Sequence, residues 1–333
     1  MGNSIRGTLT RLIRQFKGTY VLNNLLHANQ LKHNRRLYKR HEVGKSIYAP
    51  IGSQDFKNKV TERPWLDQEN ALDTLRTNPT FATFSPDIQR ELERFVTDGY
   101  MILRGFFPKG DVKAANKEIE ELLTEKRVGF HYTGRKILQS YKVAPTINER
   151  FFRRPELLEL LTFIMGKPVI PFQTINFIQG SEQRAHSDSI HMTTQPLGYL
   201  IACWVALEPI HSGNGPLIYY PGSHRLPYLL STDYQSGNTA FTIGANSNSK
   251  YEDAIEQLVE EQGLTPEIFT ADPGDMLIWH ANLLHGGSAI TKDGATRKSL
   301  VAHYYTEDVI CYHDMSQRPA LLDPEVSERL AQK

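Results

Sequence analysis

Residues 268–287 read IFTADPGDMLIWHANLLHGG, and two short β-rich runs, 268–271 and 276–280, stand there on either side of the Pro273-Gly274 turn. Working outward, the same texture recurs at 169–178, 200–210, 217–221 and 299–305, punctuated by Gly180-Ser181, Gly213-Asn214-Gly215 and Pro221-Gly222. One helical pattern, 253–262, interrupts it. So many short strands predict an antiparallel sandwich or barrel over 168–306.

Ahead of the strands the apolar spacing is helical. Residues 86–98 place Ile88, Leu92, Phe95 and Val96 on one face, with Ser85 as N-cap and Gly99 as terminator. Residues 100–107 read as a short buried strand. A second helix runs from an Asp111 cap to 126, and a third over 155–165, closed by Gly166. Residues 49–85 are rich in Pro, Asn, Asp and Thr and read as a connecting segment. The organisation expected is a basic helical arm (1–60), a linker (61–85), a domain over 86–310 made of helices 86–166 and a barrel 168–306, and a C-terminal extension (311–333).

The 333-residue chain has a net charge of +1, which conceals a split. Residues 1–60 hold 12 of the 38 Lys/Arg and 2 of the 37 Asp/Glu, a local balance of +10, so the remainder carries −9. Ile5, Leu9, Leu12, Ile13, Phe16 and Tyr20 recur at helical spacing with Arg6, Arg11, Arg14 and Lys17 largely between them, an amphipathic basic helix. A second basic cluster follows at Lys32, Arg35, Arg36, Lys39 and Arg40. Two readings stay open: helices docked on the body with a solvated basic face, or a peripheral anchor on anionic lipid, where each basic residue is worth about 1 kcal/mol. Nucleic-acid binding is set aside, because the arm has few aromatics for stacking and the body is acidic.

Other classes fall away on the same arithmetic. No stretch approaches the roughly 18–20 consecutive apolar residues of a membrane span, and the start lacks the apolar region of a secretory signal. Gly2 is followed by Arg6 where myristoylation wants Ser or Thr. Cys203 and Cys311 stand 108 positions apart, with no disulfide framework and no zinc-type pair. The expectation is a cytoplasmic protein whose arm allows membrane-peripheral contact; an Arg-rich, acid-poor start also fits a mitochondrial transit peptide.

Chemistry concentrates in His186-Ser187-Asp188 and, 97 residues after the Asp, His285 in Leu283-Leu284-His285-Gly286-Gly287. Side chains at i and i+2 of a strand share a face, so His186 and Asp188 can reach one metal ion. A third ligand from a distant strand completes a two-His-one-carboxylate site with open positions for a co-substrate and O2, the pattern of non-haem Fe(II) oxygenases. His280 competes with His285 for that place. Arg297 follows 12 residues after His285, where a guanidinium can clamp a dicarboxylate bidentately. A hydrolytic zinc site lacks an obvious general base beside the triad.

At this point the chain resembles the phytanoyl-CoA dioxygenase-like family of Fe(II)- and 2-oxoglutarate-dependent oxygenases, over about 86–306. The resemblance rests on the 99–106 entry strand, His186-x-Asp188, Trp204 in its strand, the Pro221-to-Arg225 turn, His285 and Arg297. It implies a mainly β fold with flanking helices, the double-stranded β-helix (a jelly-roll, cupin-like barrel). It implies Fe(II) on His186, Asp188 and His285, the distal carboxylate of 2-oxoglutarate on Arg297, and further co-substrate contacts from Asn176 and Trp204. Relatives often place a Ser two residues after the last ligand; here Gly287 stands there, which leaves Ser288 or Ser299 to supply a hydroxyl. The family position selects His285 over His280, and His224 is assigned to its turn. Tyr132, Lys142 and Gln173 are candidates to face the pocket, and 129–150 and 225–252 to cover it.

The reaction implied consumes O2 and 2-oxoglutarate, releases succinate and CO2, and hydroxylates an aliphatic C–H of a small-molecule, lipid or glycan substrate. Halogenating relatives replace the carboxylate ligand by a small residue, so the presence of Asp188 favours hydroxylation. The alternative is a catalytically silent jelly-roll binding protein of the same fold, which loss of a ligand would favour; none is lost.

Overall fold

The computed structural model describes residues 15–56, 62–131 and 135–332. Their strands are β1 (Tyr100–Leu103), β2 (Lys136–Leu138), β3 (Val169–Phe177), β4 (Thr193–Gln195), β5 (Leu200–Ala206), β6 (Leu217–Tyr219), β7 (Glu267–Phe269), β8 (Met276–His280), β9 (His285–Gly287), β10 (Ser299–Thr306), β11 (Ile310–His313) and β12 (Arg318–Pro319). Six of them form one antiparallel sheet in the order β1-β8-β5-β10-β3-β2. Two three-stranded sheets, β7-β6-β9 and β12-β11-β4, supply the other walls. This is the jelly-roll architecture that the family resemblance implied, with helices on its flank, and it agrees with the sandwich or barrel read from the strand spacing.

The six-stranded sheet is apolar on both faces, which is why 200–206 reads Leu-Ile-Ala-Cys-Trp-Val-Ala. One row of cross-strand partners, Ile175↔Val301, Val301↔Trp204 and Trp204↔Leu277, faces the barrel interior with Phe177, Phe269 and Trp279. The alternate residues, among them Cys203, Val205, Ile278 and Leu300, face outward into the larger core. There they meet α3 (Ala71–Thr77), α4 (Pro86–Asp98), α5 (Lys109–Thr124) and α6 (Pro155–Met165), which cover the sheet, while α1 (Lys17–Leu26) and α2 (Asn34–Arg40) belong to the arm. Two further helices, α7 (Ser247–Glu261) and α8 (Pro324–Ala331), lie later in the chain.

Local signals explain the boundaries. The Ser85 hydroxyl accepts from the Ile88 N–H at 3.4 Å to open α4. Gly99 closes it at φ 84°, where a Cβ would meet the His224 ring at 2.5 Å, so the turn built by 221–225 and this helix end interlock. Helix α5 starts two residues before the expected Asp111 cap, because Pro108 sets the entry; Asp111 instead pairs with Arg150 at 2.9 Å. Strand β1 stops at Leu103 rather than 107, since the chain turns at Gly105, whose N–H donates to Asp275 Oδ1 at 2.7 Å.

The flanks pack more than their composition suggests. In the stretch expected as a linker, Leu66, Ala71, Leu75 and Phe81 bury into the same core as α4–α6. From the arm, Leu31, Leu37, Tyr38, Val43 and Ile51 form a cluster with Ile310 and Tyr312 of β11. Lys32 pairs with Glu328 at 2.8 Å, and Arg36 pairs with Asp308. Much of the second basic cluster is therefore matched to acids of the body over residues 15–56, while 5–14 of the expected basic helix lie outside the described residues. Among the described residues no helix is long and apolar enough to cross a membrane.

Candidate active site

The centre is built from two backbones that pair directly. His186 and His285 form an antiparallel bridge in which each N–H donates to the other's carbonyl at 2.9 Å, so their side chains leave on one face. Asp188 follows two residues on. Ligand atoms of His186, Asp188 and His285 all lie within 4.8 Å of one another, and all three residues are buried. His280, the competing candidate, points elsewhere: its Nε2 lies 3.0 Å from Asp67 Oδ1.

Outer partners set each donor. The Nδ1–H of His186 donates to the Arg184 carbonyl at 2.9 Å and that of His285 to the Leu283 carbonyl at 3.0 Å. A carbonyl can only accept, so both rings hold the Nδ1–H tautomer and turn an Nε2 lone pair inward. Trp279 Nε1–H donates to Asp188 Oδ2 at 2.8 Å, leaving Oδ1 on the side of His285 Nε2, 3.8 Å away. His303 Nε2 approaches Oδ2 at 3.4 Å. Burial alone would raise the Asp188 carboxyl, but His285, His303 and His186 outweigh it and hold the carboxyl below its ordinary range. Burial first, then His285, lowers His186, so the imidazole is neutral and available as a ligand.

These residues border a cavity of about 830 Å³, which Trp204, Arg297, Gln173, Lys136 and His303 also line. Arg297 is 1% exposed, and no carboxylate of the described residues lies within ion-pair distance of it. Its Nη1–H donates to the Gly215 carbonyl at 3.0 Å and Nη2–H to the Ser181 hydroxyl at 3.2 Å; Nε has no partner. Burial, with Arg135 adding to it, pushes its pKa down to about 10, so it remains charged. A buried guanidinium without a counter-charge costs several kcal/mol in a closed interior, and an anion delivered to it recovers that cost. Ser299 shares the inward face of Phe177, its cross-strand partner, and its hydroxyl lacks a partner, as does Trp204 Nε1.

Asn176 is the exception among the expected contacts. Ile175 and Phe177 line the cavity, so period-two alternation turns Asn176 to the helix side, beside Leu300, where its Oδ1 accepts from Ser140 Oγ at 2.5 Å. Lys142 lies outside the cavity and pairs with Asp323 at 3.3 Å; Tyr132 is outside the described residues. The Gly287 departure also has a geometric cause. A Cβ there would stand 2.4 Å from Ser181 Oγ and 3.2 Å from Arg297 Nη1, so the space is taken by the Ser181 hydroxyl, which accepts from Arg297 Nη2 at 3.2 Å.

Sequence reasoning missed Ser181, Lys136 and His303. His303 was detectable, as it stands two residues from inward Val301 on one strand; Ser181 sat inside a turn signal, and Lys136 on a three-residue strand with no periodicity. The donor set of two imidazole nitrogens and one carboxylate, with buried unpartnered polar atoms beside it, fits a non-haem Fe(II) and a dicarboxylate co-substrate.

Known proteins agree with this geometry. A probable phytanoyl-CoA dioxygenase of Caenorhabditis elegans is 24% identical over 159 residues, covering 48% of this chain and 46% of that protein, so the chain spans less than half the length of that relative in the match. The ectoine dioxygenase of Nocardia farcinica is 25% identical over 71% of this chain and 83% of its own. Among solved structures, EctD from S. alaskensis with 2-oxoglutarate and 5-hydroxyectoine superposes with a TM-score of 0.52 at 21% identity, over 67% of this chain and 77% of that one, which shows a shared fold. The profile of the phytanoyl-CoA dioxygenase (PhyH) family matches residues 95–299, more than half of the chain and the span that carries the triad and Arg297. The chain belongs to the phytanoyl-CoA dioxygenase family of Fe(II)- and 2-oxoglutarate-dependent oxygenases.

Proposed function

We propose that this member hydroxylates an aliphatic C–H of a small-molecule substrate, lipid and glycan bodies included, with His186, Asp188 and His285 holding Fe(II) and Arg297 receiving the distal carboxylate of 2-oxoglutarate. The observation that carries the reading is Arg297: a fully buried cation without a carboxylate partner among the described residues, facing the same cavity as three convergent candidate metal donors. Bound Fe(II), with 2-oxoglutarate and O2, supplies oxidative decarboxylation to succinate and CO2 and the oxygen that enters the substrate.

The chain's own residues supply the rest. Leu283 and Arg184 carbonyls fix the two imidazole tautomers, and Trp279 fixes the carboxylate rotamer, so the three donors are held before a metal arrives. Arg297 and Lys136 both stand over the Phe177 ring, at 5.6 and 6.0 Å from its centroid, and present two cations to the co-substrate end. Ser181 orients Arg297, Trp204 and Ser299 offer unpartnered donors, and the apolar interior around Phe177, Leu217 and Val301 keeps water from that end. The presence of Asp188 supports hydroxylation, and the ectoine dioxygenase relatives support a small molecule as the body oxidised.

Anaerobic reconstitution with Fe(II) followed by O2 and 2-oxoglutarate tests the reading. Succinate release in the wild type, lost together with Fe(II) affinity in His186→Ala, is the expected result. Absence of succinate under both uncoupled and substrate-screened conditions, with Fe(II) affinity unchanged in the variant, would overturn it.

A further inference from the structure

The family match ends at residue 299, yet the cavity continues beyond it. Asn23 and Asn24 of α1 border it, and so do Tyr312, His313, Met315, Arg318 and Leu321, so the arm and the β11–β12 hairpin together wall part of it. The two segments are fastened to each other. Lys17 Nζ donates to Gln317 Oε1 at 2.6 Å, its N–H donates to the Phe241 carbonyl at 2.9 Å, and the Arg318 guanidinium lies over the Tyr20 ring at 5.0 Å from the centroid.

Charges along the cavity are unevenly matched. Glu182 is paired with Arg135 at 2.8 Å and Glu252 with Arg184 at 3.5 Å, while Asp188 belongs to the metal site. Among the described residues, by contrast, no carboxylate lies within 4.0 Å of Arg318; its Nε–H donates to Ser316 Oγ at 3.0 Å and one face is covered by Tyr20. That arrangement fixes the plane of the guanidinium and leaves its terminal N–H groups for a ligand. The lining also offers apolar Phe172, Ile175, Met192, Met315 and Leu321, beside a run of rings from His186 through His191 at 5.8 Å to His313 at 5.3 Å that joins the iron end to the Arg318 end.

We infer that the arm and the hairpin form the substrate end of the active site, where Arg318, oriented by Tyr20, binds an anionic group on a substrate whose apolar body reaches toward the metal. Resting on the oxygenase reading, this adds the substrate class: an amphiphile ending in a carboxylate or a phosphate. Lengthwise, the cavity then takes two anions, 2-oxoglutarate at Arg297 and the substrate's own at Arg318, and the two guanidinium sites separate them.

Binding to full-length, metal-free protein tests this apart from catalysis. Decanoate, decyl phosphate and decanol are compared by calorimetry on wild type, Arg318→Gln, Arg318→Lys, Tyr20→Ala and Arg297→Gln, with circular dichroism and thermal unfolding to show that each variant is folded. The expected result is a preference of at least tenfold for one or both anions over decanol, abolished in Arg318→Gln, partly kept in Arg318→Lys, weakened in Tyr20→Ala and retained in Arg297→Gln. Whichever of decanoate and decyl phosphate shows the larger Arg318-dependent preference assigns the anion. Equal binding of all three probes by the wild type, or a preference that Arg297→Gln rather than Arg318→Gln removes, would overturn it. Failure of the oxygenase reading shows instead as missing succinate in the reconstituted wild type, and leaves this comparison intact.

Discussion

The barrel centre and the wrap around it are buried by different means. At the centre, the metal-site side chains are oriented by hydrogen bonds to backbone carbonyls and to the Trp279 indole, and the apolar residues serve to exclude water. The wrap of α1, α2, β11, β12 and α8 is an apolar cluster, Leu31, Leu37, Tyr38, Ile310 and Tyr312, edged by exposed ion pairs such as Lys32–Glu328. Exposed pairs are each worth about 0–1 kcal/mol, so burial of that cluster, not charge, keeps the arm in place. Chemistry therefore resides in a rigid centre, while the element that closes the cavity is attached by contacts that can be loosened separately.

Removing a metal donor should separate the two regions most sharply. His186→Ala or Asp188→Ala is expected to lose Fe(II) binding and succinate release by more than the roughly 10–100-fold that losing an outer partner such as the Trp279 indole would cost, with the arm still docked. Calorimetric Fe(II) titration checks the first, and hydrogen exchange across α1 and α2 the second. Next comes Arg297→Gln: truncating one side of a buried charge pair costs about 2–5 kcal/mol, so 2-oxoglutarate affinity should fall at least about thirtyfold with little change in Fe(II) affinity.

The wrap should respond to acid, as should the buried histidines beside the centre. His33 is buried against the Ser327 hydroxyl at 3.0 Å, and burial lowers its pKa to about 4. Its unfolded pKa is higher, so the unfolded chain takes up more protons between the two values. The stability it contributes is full above about pH 6.5, declines as pH falls, and is wholly lost once pH passes below the folded value of about 4. At pH 5 the loss is about 2 kcal/mol by linkage. Unfolding measured at pH 7 and pH 5 should show it, and His33→Gln should remove about that share, the remainder belonging to buried His191, His224 and His313, which burial lowers to about 3.

The smallest effect expected tests the join between Gly287 and Arg297. Gly287→Ser puts a Cβ 2.4 Å from Ser181 Oγ, and overpacking of this kind costs about 1–3 kcal/mol. Its 2-oxoglutarate affinity should fall about tenfold, roughly 1.4 kcal/mol by affinity arithmetic. Adding Ser181→Gly should recover much of it, because the new hydroxyl then occupies the vacated space. No recovery would mean that the Ser181–Arg297 contact does not orient the guanidinium.

Much of the centre was legible because strand chemistry is local. The i, i+2 spacing of His186 and Asp188, the Pro273-Gly274 turn and the position of Arg297 two residues ahead of β10 each declare themselves within a few residues. Asn176 failed for an equally local reason: the face of a nine-residue strand is set by which neighbours turn inward, and Ile175 and Phe177 took that side. Composition understated the packing of 61–85 and left the docking of the arm as one of two open readings, because turns break up their apolar residues, and Leu66, Leu75, Phe81 or Leu31 reveal a buried role only against a partner surface.

By itself the sequence determined a strand-rich barrel behind a helical layer and put forward the candidate donors His186 and Asp188 and the Arg297 guanidinium, since these follow from alternation, spacing and residue chemistry, while the choice of His285 over His280 came from the family resemblance. Tertiary structure alone decided that His303 and Trp279 flank Asp188, that Ser181 fills the place left by Gly287, and that Arg318, 295 positions after Asn23 in the chain, borders the same cavity. The physical reason is range. Period and turn chemistry act over a few residues, whereas a closed cavity is made by packing segments that only the folded chain brings together.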